Sequence, residues 1–160
     1  MKKLLILLSA IILGLSACTK SNTEKVEPFD AAKQAAEDDA KIQAYIKANN
    51  LTPVKDASGL YYQVMTPGTG ANATSNSTVN VNYTGKLLDG SQFDSGNFTT
   101  SLNANANIIE GWKIGLTHIN KNGRILLLIP SALGYGNRSP GAGVPANSVL
   151  VFVVDMLSIQ

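Results

Sequence analysis

Five aromatic side chains in the second half of the chain stand beside glycine-rich turns. They are Tyr83 in Val81-Asn82-Tyr83-Thr84-Gly85, Phe93 in Phe93-Asp94-Ser95, Trp112 in Ile108-Ile109-Glu110-Gly111-Trp112, Tyr135 in Leu133-Gly134-Tyr135-Gly136, and Phe152 in Val151-Phe152-Val153. Rings in that order imply one apolar pocket, which offers shape and low polarity rather than a nucleophile. No Ser/His/Asp arrangement and no phosphate-binding glycine loop accompanies them. His118, the only histidine, has no Cys or carboxylate cluster near it in sequence, and it reads as a helix-end residue. Taken singly, Trp112 and Phe152 would be core, Tyr83 a strand residue and Asp94 a turn or cap residue. The pocket is read from the set.

The elements that must position these rings are mostly strands. Leu60 to Met65 is a predicted strand, ended by the turn residues Thr66-Pro67-Gly68-Thr69-Gly70. Ala71 to Thr78 is polar and reads as a loop. Val79, Val81 and Tyr83 alternate with Asn80 and Asn82, the period of a half-buried strand. Leu88-Asp89-Gly90 is a hairpin turn, and Gln92-Phe93-Asp94 starts the return. Glu110 to His118 suits a short helix, Arg124 to Ile129 a buried strand, and Ser148 to Ile159 a long final strand. One further helix is expected upstream, over Phe29 to Asn50. Asp30 is its N-cap candidate, Asn49-Asn50 its stop, and Ile42, Tyr45 and Ile46 form a narrow apolar stripe. It reads as a spacer packed on its own domain rather than as an arm. Strands with one central helix make an α+β domain.

The N-terminus reads as an export signal. Lys2 and Lys3 precede a largely apolar run from Leu4 to Leu15, followed by small Ser16 and Ala17. A dozen apolar residues are too few to span ~30 Å of hydrocarbon as a helix. Leu15-Ser16-Ala17-Cys18 looks like a bacterial lipobox, and Cys18 is the only cysteine. The expectation is that residues 1–17 are removed and that Cys18 is acylated, which anchors the chain to a membrane. Thr19 after the Cys suggests the outer membrane, with the face of that membrane left open. Thr19 to Pro28 is a polar tether. Without Lys2 and Lys3, 11 Lys+Arg balance 11 Asp+Glu, so charge gives no reason to propose nucleic acid as a partner.

From about Ser58 to Gln160 the ordered aromatic set resembles the FKBP family of peptidyl-prolyl cis–trans isomerases. The resemblance implies an antiparallel sheet of about five strands wrapped around one short helix, preceded here by the N-terminal helix. The expected organisation is a lipoprotein signal over 1–17, a lipidated Cys, tether and helix over 18–57, and an isomerase domain over 58–160. The resemblance also implies an enzyme that turns Xaa-Pro bonds with no metal, no cofactor and no covalent or acid–base step. The implied substrates are proline-containing segments of exported proteins, and macrolides are implied inhibitors. The alternative use of the same pocket is a proline-binding chaperone module with little turnover.

The resemblance assigns the residues as well. Trp112 would be the pocket floor. Tyr83, Phe93 and Phe152 would be walls, with Phe98 a further one. Ile108 and Ile109 match the family's Val-Ile pair, in which the second residue's N–H donates to a ligand carbonyl. Tyr135 would donate its hydroxyl to the carbonyl next to the proline, and Asp94 would be the charged group at the rim. Two departures stand out. The segment between Leu102 and Ile108 is one residue longer than in short members, and Pro140 stands where some members carry a His. The loop from Gly136 to Ala146 leaves no room for an inserted chaperone flap. Four Asn-X-Thr/Ser triplets, at Asn72, Asn76, Asn82 and Asn97, read as Asn-rich loops and strands.

Overall fold

A computed structural model describes residues 29–141 and 143–160. The expected signal segment, Cys18 and the tether lie outside the described residues. Helix α1 spans Ala31–Ala48. Its start is fixed locally. Asp30 Oδ1 accepts from the Ala32 and Lys33 amides at 2.9 and 3.0 Å, which satisfies two of the orphan donors of the first turn. It stops at Asn49, and Asn50 takes a left-handed φ of 52°, a conformation Asn tolerates better than most residues.

Eight strands follow. They are β1 (Val54–Lys55), β2 (Tyr61–Thr66), β3 (Thr69–Asn72), β4 (Thr78–Leu87), β5 (Gln92–Ser101), β6 (Asn120–Lys121), β7 (Arg124–Ile129) and β8 (Leu150–Ile159). Between β5 and β6 lie α2 (Glu110–Gly115) and a 3-10 turn (Leu116–His118). A second 3-10 turn, Ser131–Leu133, follows β7. The main sheet runs β1-β2-β7-β8-β4-β5 and every pairing is antiparallel. Since β1 has two residues, five strands of six or more residues carry the sheet, as the family resemblance implied. β1 itself lies on the linker side of the expected boundary at residue 58 and pairs with β2.

Strand periodicity decides which side chain faces which layer. On β7, Ile125, Leu127 and Ile129 join the core under α2, while Leu126 and Leu128 join a second core on the other face. The run is therefore apolar at consecutive positions because both faces are covered. Ile42 of α1 is fully buried in that second core, with Tyr45 and Ile46 packed against it. So α1 lies on the back of its own sheet.

α2 lies close against β7. A Cβ on Gly111 would stand 2.5 Å from Ile129 Cγ2, and one on Gly115 would stand 2.7 Å from Leu127 Cδ2. Two residues without side chains, one turn apart, allow that approach.

The structure departs from the sequence reading in two places. β3 and β6 form a two-stranded ribbon, where a loop was expected from Ala71 and no strand at residues 120–121. Neither segment has an apolar alternation to reveal it. The Asn120 side chain holds the ribbon instead: its Oδ1 accepts from the Gly68 amide at 2.8 Å and its Nδ2 donates to the Gly70 carbonyl at 3.1 Å. The last strand starts at Leu150 rather than Ser148. Two of the Asn-X-Thr triplets fall within β4 and β5. Asn80 Nδ2 donates across that strand pair to Asn97 Oδ1 at 3.1 Å and to Thr99 Oγ1 at 2.6 Å.

Candidate active site

The aromatic residues converge above α2. Trp112 is 5% exposed and Phe152 is 3% exposed. Their rings meet at 5.4 Å and 82°, and Tyr83 meets Trp112 at 5.1 Å and 81°. Phe98 completes the contact with Trp112 at 6.4 Å and 64°. These are edge-to-face arrangements, which place the positive ring edge on the negative ring face. Together with Asp94, Ile108, Ile109 and Tyr135 the four rings line a cavity of about 580 Å³.

Each wall residue is held by a different element. Tyr83 projects from β4, and Asp94 and Phe98 from β5, where Phe98 pairs with Val81. Phe152 comes from β8, opposite Gly85 of β4. A Cβ on Gly85 would lie 2.7 Å from Phe152 Cε1 and 2.8 Å from Phe93 Cζ. That position has room for a ring only because it carries no side chain. Phe93 differs from the expected wall residue. It is absent from the cavity lining and stands one layer back, with its ring against Phe152 at 5.6 Å and 88°. Sequence reasoning missed Asn107, Glu110 and Gly134, which also line the cavity. Glu110 and Gly134 adjoin residues already singled out. Asn107, in the longer loop before Ile108, gave no signal.

The polar groups are few and placed at the rim. Tyr83 donates from its hydroxyl to Asp94 Oδ2 at 2.9 Å, and Asp94 Oδ1 accepts from the Ser95 amide at 2.9 Å. Burial, the hydrogen bond to Asp94 and the Asp94 charge push the Tyr83 pKa up to about 12. Burial and the same carboxylate also raise that of Tyr135, a residue 37% exposed overall. Among the described residues nothing accepts from the Ile109 amide or the Tyr135 hydroxyl. Ile109 caps α2 in an extended conformation, with φ −62° and ψ 146°. The Trp112 indole N–H is buried without a partner among the described residues. No group of three or more His, Cys, Asp or Glu there is placed to hold a metal ion.

His118, set aside in the sequence, lies elsewhere. Its ring stacks on Tyr62 at 3.9 Å, and its Nε2 is 3.8 Å from Asp56 Oδ2.

The raised tyrosine pKa has a consequence for stability. Free tyrosine ionises near 10, so above that pH the unfolded chain loses the Tyr83 proton while the folded chain keeps it. The unfolded state then binds fewer protons, and stability falls as pH rises. The contribution is fully present below about pH 10 and is lost by about pH 12. Urea midpoints at pH 8 and pH 11 are expected to show the decline, and Tyr83→Phe is expected to reduce it. An equal decline in the Phe variant would assign it to other groups.

Comparison with known proteins bears on the same residues. The family model described as FKBP-type peptidyl-prolyl cis-trans isomerase matches residues 70–157. The chain belongs to this family. The match runs through every ring of the cavity. A probable FKBP-type peptidyl-prolyl cis-trans isomerase of Haemophilus influenzae is 35% identical over 161 residues, covering 96% of this chain and 62% of the relative. The crystal structure of FkpA from Escherichia coli superimposes with a TM-score of 0.67 at 36% identity, over 81% of this chain and 62% of that one. A peptidyl-prolyl cis-trans isomerase structure from Pseudomonas syringae pv. tomato gives a TM-score of 0.66 at 26% identity, over 83% of this chain and 99% of that one. The chain spans less than two thirds of the length of the Haemophilus and Escherichia relatives. These FKBP-type likenesses agree with the antiparallel sheet and short helix described above.

Proposed function

We propose that the chain is a peptidyl-prolyl cis–trans isomerase acting on Xaa-Pro bonds of exported polypeptides. The observation that carries this reading is a cavity walled by Tyr83, Phe98, Trp112 and Phe152, with two donors on its lining, the Ile109 amide and the Tyr135 hydroxyl, that no described residue engages.

The chemistry follows from the amide. Rotation about the Xaa-Pro bond meets a barrier of ~18–20 kcal/mol because resonance must be broken. The planar amide is more dipolar than the twisted one, since twisting removes the charge separation of resonance. An apolar wall therefore disfavours the planar ground state relative to the twisted state, and the aromatic faces accept the proline ring by shape. The Ile109 N–H and the Tyr135 hydroxyl are donors for the carbonyls that flank the proline. Phe93 acts from behind, by bracing Phe152. Asp94 holds the Tyr83 hydroxyl. This is differential binding of a transition state with no bond made or broken.

The N-terminal segment supports a place for this activity. A signal over residues 1–17 followed by Cys18 fits a lipid-anchored protein of the bacterial cell envelope, with 18–57 as tether and helix and 58–160 as the isomerase domain. Among the described residues no helix is long and apolar enough to cross a membrane.

The test is a protease-coupled or refolding assay on residues 19–160, with and without a family macrolide. The uncatalysed step takes tens to hundreds of seconds, so acceleration is easily read. Expected are faster isomerisation and its loss on adding the macrolide. Peptide kinetics unchanged by a correctly folded protein would refute the enzyme reading. Suppressed aggregation without turnover would indicate a binding module instead.

A further inference from the structure

We infer that Asp38, on the N-terminal helix, is a positioning residue for Tyr135. The inference rests on the isomerase reading of the cavity. Asp38 is a carboxylate with only 1% of its surface exposed. Burying a charge is costly unless each oxygen is partnered, and both are. Oδ1 accepts from Gln34 Nε2 at 2.8 Å within α1. Oδ2 accepts from the backbone N–H of Ser131 at 2.8 Å, a residue 93 positions further along the chain.

Ser131 holds the turn that carries Tyr135. It is 1% exposed. Its carbonyl accepts from the amides of Gly134 at 3.0 Å and Gly136 at 2.8 Å, the two residues that bracket Tyr135. The Gly136 carbonyl in turn accepts from the Asn147 amide at 2.8 Å, which ties the turn to the loop before β8. A charge-assisted hydrogen bond at one end of such a chain polarises the bonds that follow. A cleft of about 340 Å³ lies between α1 and the turn, lined by Asp38, Ser131 and Gly136 among others. Beside that cleft the buried Asp38–Ser131 bond fixes the height of the turn, and with it the direction of the Tyr135 hydroxyl. A buried charge is a weak device for stability, since an apolar side chain of similar size does as well. Orientation of the turn is what the carboxylate adds.

The experiment compares the wild-type chain with Asp38→Ala, Tyr135→Phe and the double variant on a Xaa-Pro peptide. Asp38→Ala is expected to lower kcat/KM about tenfold, the loss expected for one hydrogen bond to a charged group. The double variant is expected to be no slower than Tyr135→Phe alone, because both changes remove the same contact. Asp38→Asn keeps an oxygen acceptor and is expected to recover most of the rate. Amide exchange at Gly134 and Gly136 is expected to quicken in Asp38→Ala while β8 keeps its protection. Losses that multiply in the double variant, or unchanged exchange at the two glycines, would overturn the inference. If Asp38→Ala does not fold, Asp38→Leu, an apolar side chain of similar size, removes the acceptor instead without leaving a void. Wild-type turnover in that variant would equally overturn it. A wild-type chain without turnover would refute the isomerase reading alone, and the exchange at Gly134 and Gly136 would still decide the positioning.

Discussion

Trp112→Ala is expected to abolish most turnover and to weaken the fold in one step. The indole touches Tyr83, Phe98 and Phe152 by its edges and faces and is almost wholly buried. Deleting it opens a void beneath the cavity. Large-to-small changes of this kind cost about 3–5 kcal/mol. The three surrounding rings lose their common neighbour, and displacement of a binding wall by an ångström is enough for a loss on the order of 100-fold in kcat/KM. Denaturant unfolding followed by circular dichroism checks the first effect, since the variant lacks the only tryptophan. The peptide assay, run cold enough to keep the variant folded, checks the second. Trp112→Phe is expected to recover more of the stability than of the rate. A folded Ala variant with turnover close to wild type would show that the indole is core and nothing more.

Gly85→Ala adds a single methyl group and is expected to weaken binding several-fold. The new Cβ would stand 2.7 Å from Phe152 Cε1 and 2.8 Å from Phe93 Cζ, well inside van der Waals contact. Overpacking of this kind costs about 1–3 kcal/mol, and relief requires both Phe152 and Phe93 to shift, since each ring stands under 3 Å from the new Cβ. KM for a Xaa-Pro peptide is expected to rise several-fold. Phe93→Leu in the same chain is expected to return part of the loss by giving the ring space behind. Gly96→Ala serves as the control, because a Cβ there meets nothing nearer than the Tyr83 ring at 3.9 Å. Equal effects at the two glycines would contradict the geometry described for Gly85.

What was legible in the sequence depended on how local its cause was. The start and stop of α1 were visible because Asp30 and Asn49-Asn50 act on the backbone next to them. β7 was visible because burial on both faces leaves an unbroken apolar run. The rings were legible as a set, since their order along the chain resembles a family pattern. The depth at which each ring sits was not legible. Phe93 and Phe98 differ by five positions on one strand, yet Phe98 lines the cavity and Phe93 stands behind Phe152, a distinction that goes with the register shift between Gly85 and Lys86, which leaves Phe93 without a partner on β4. The full length of β5 was hidden because Gln92–Ser101 is polar and mostly exposed, with no alternation to count. The bond from Asp38 to Ser131 joins elements 93 residues apart, and no periodicity within either one encodes it.

The bare face that Gly111 and Gly115 turn toward β7 acts as a gauge. With no padding of its own on that side, the helix rests on Ile129 and Leu127, whose bulk alone sets how far Trp112 stands off the sheet. Trimming Ile129 to alanine, which removes the Cγ2 nearest Gly111, would lower the indole and deepen the space above it. Tolerance for larger ligands is therefore adjustable from a strand that no ligand touches.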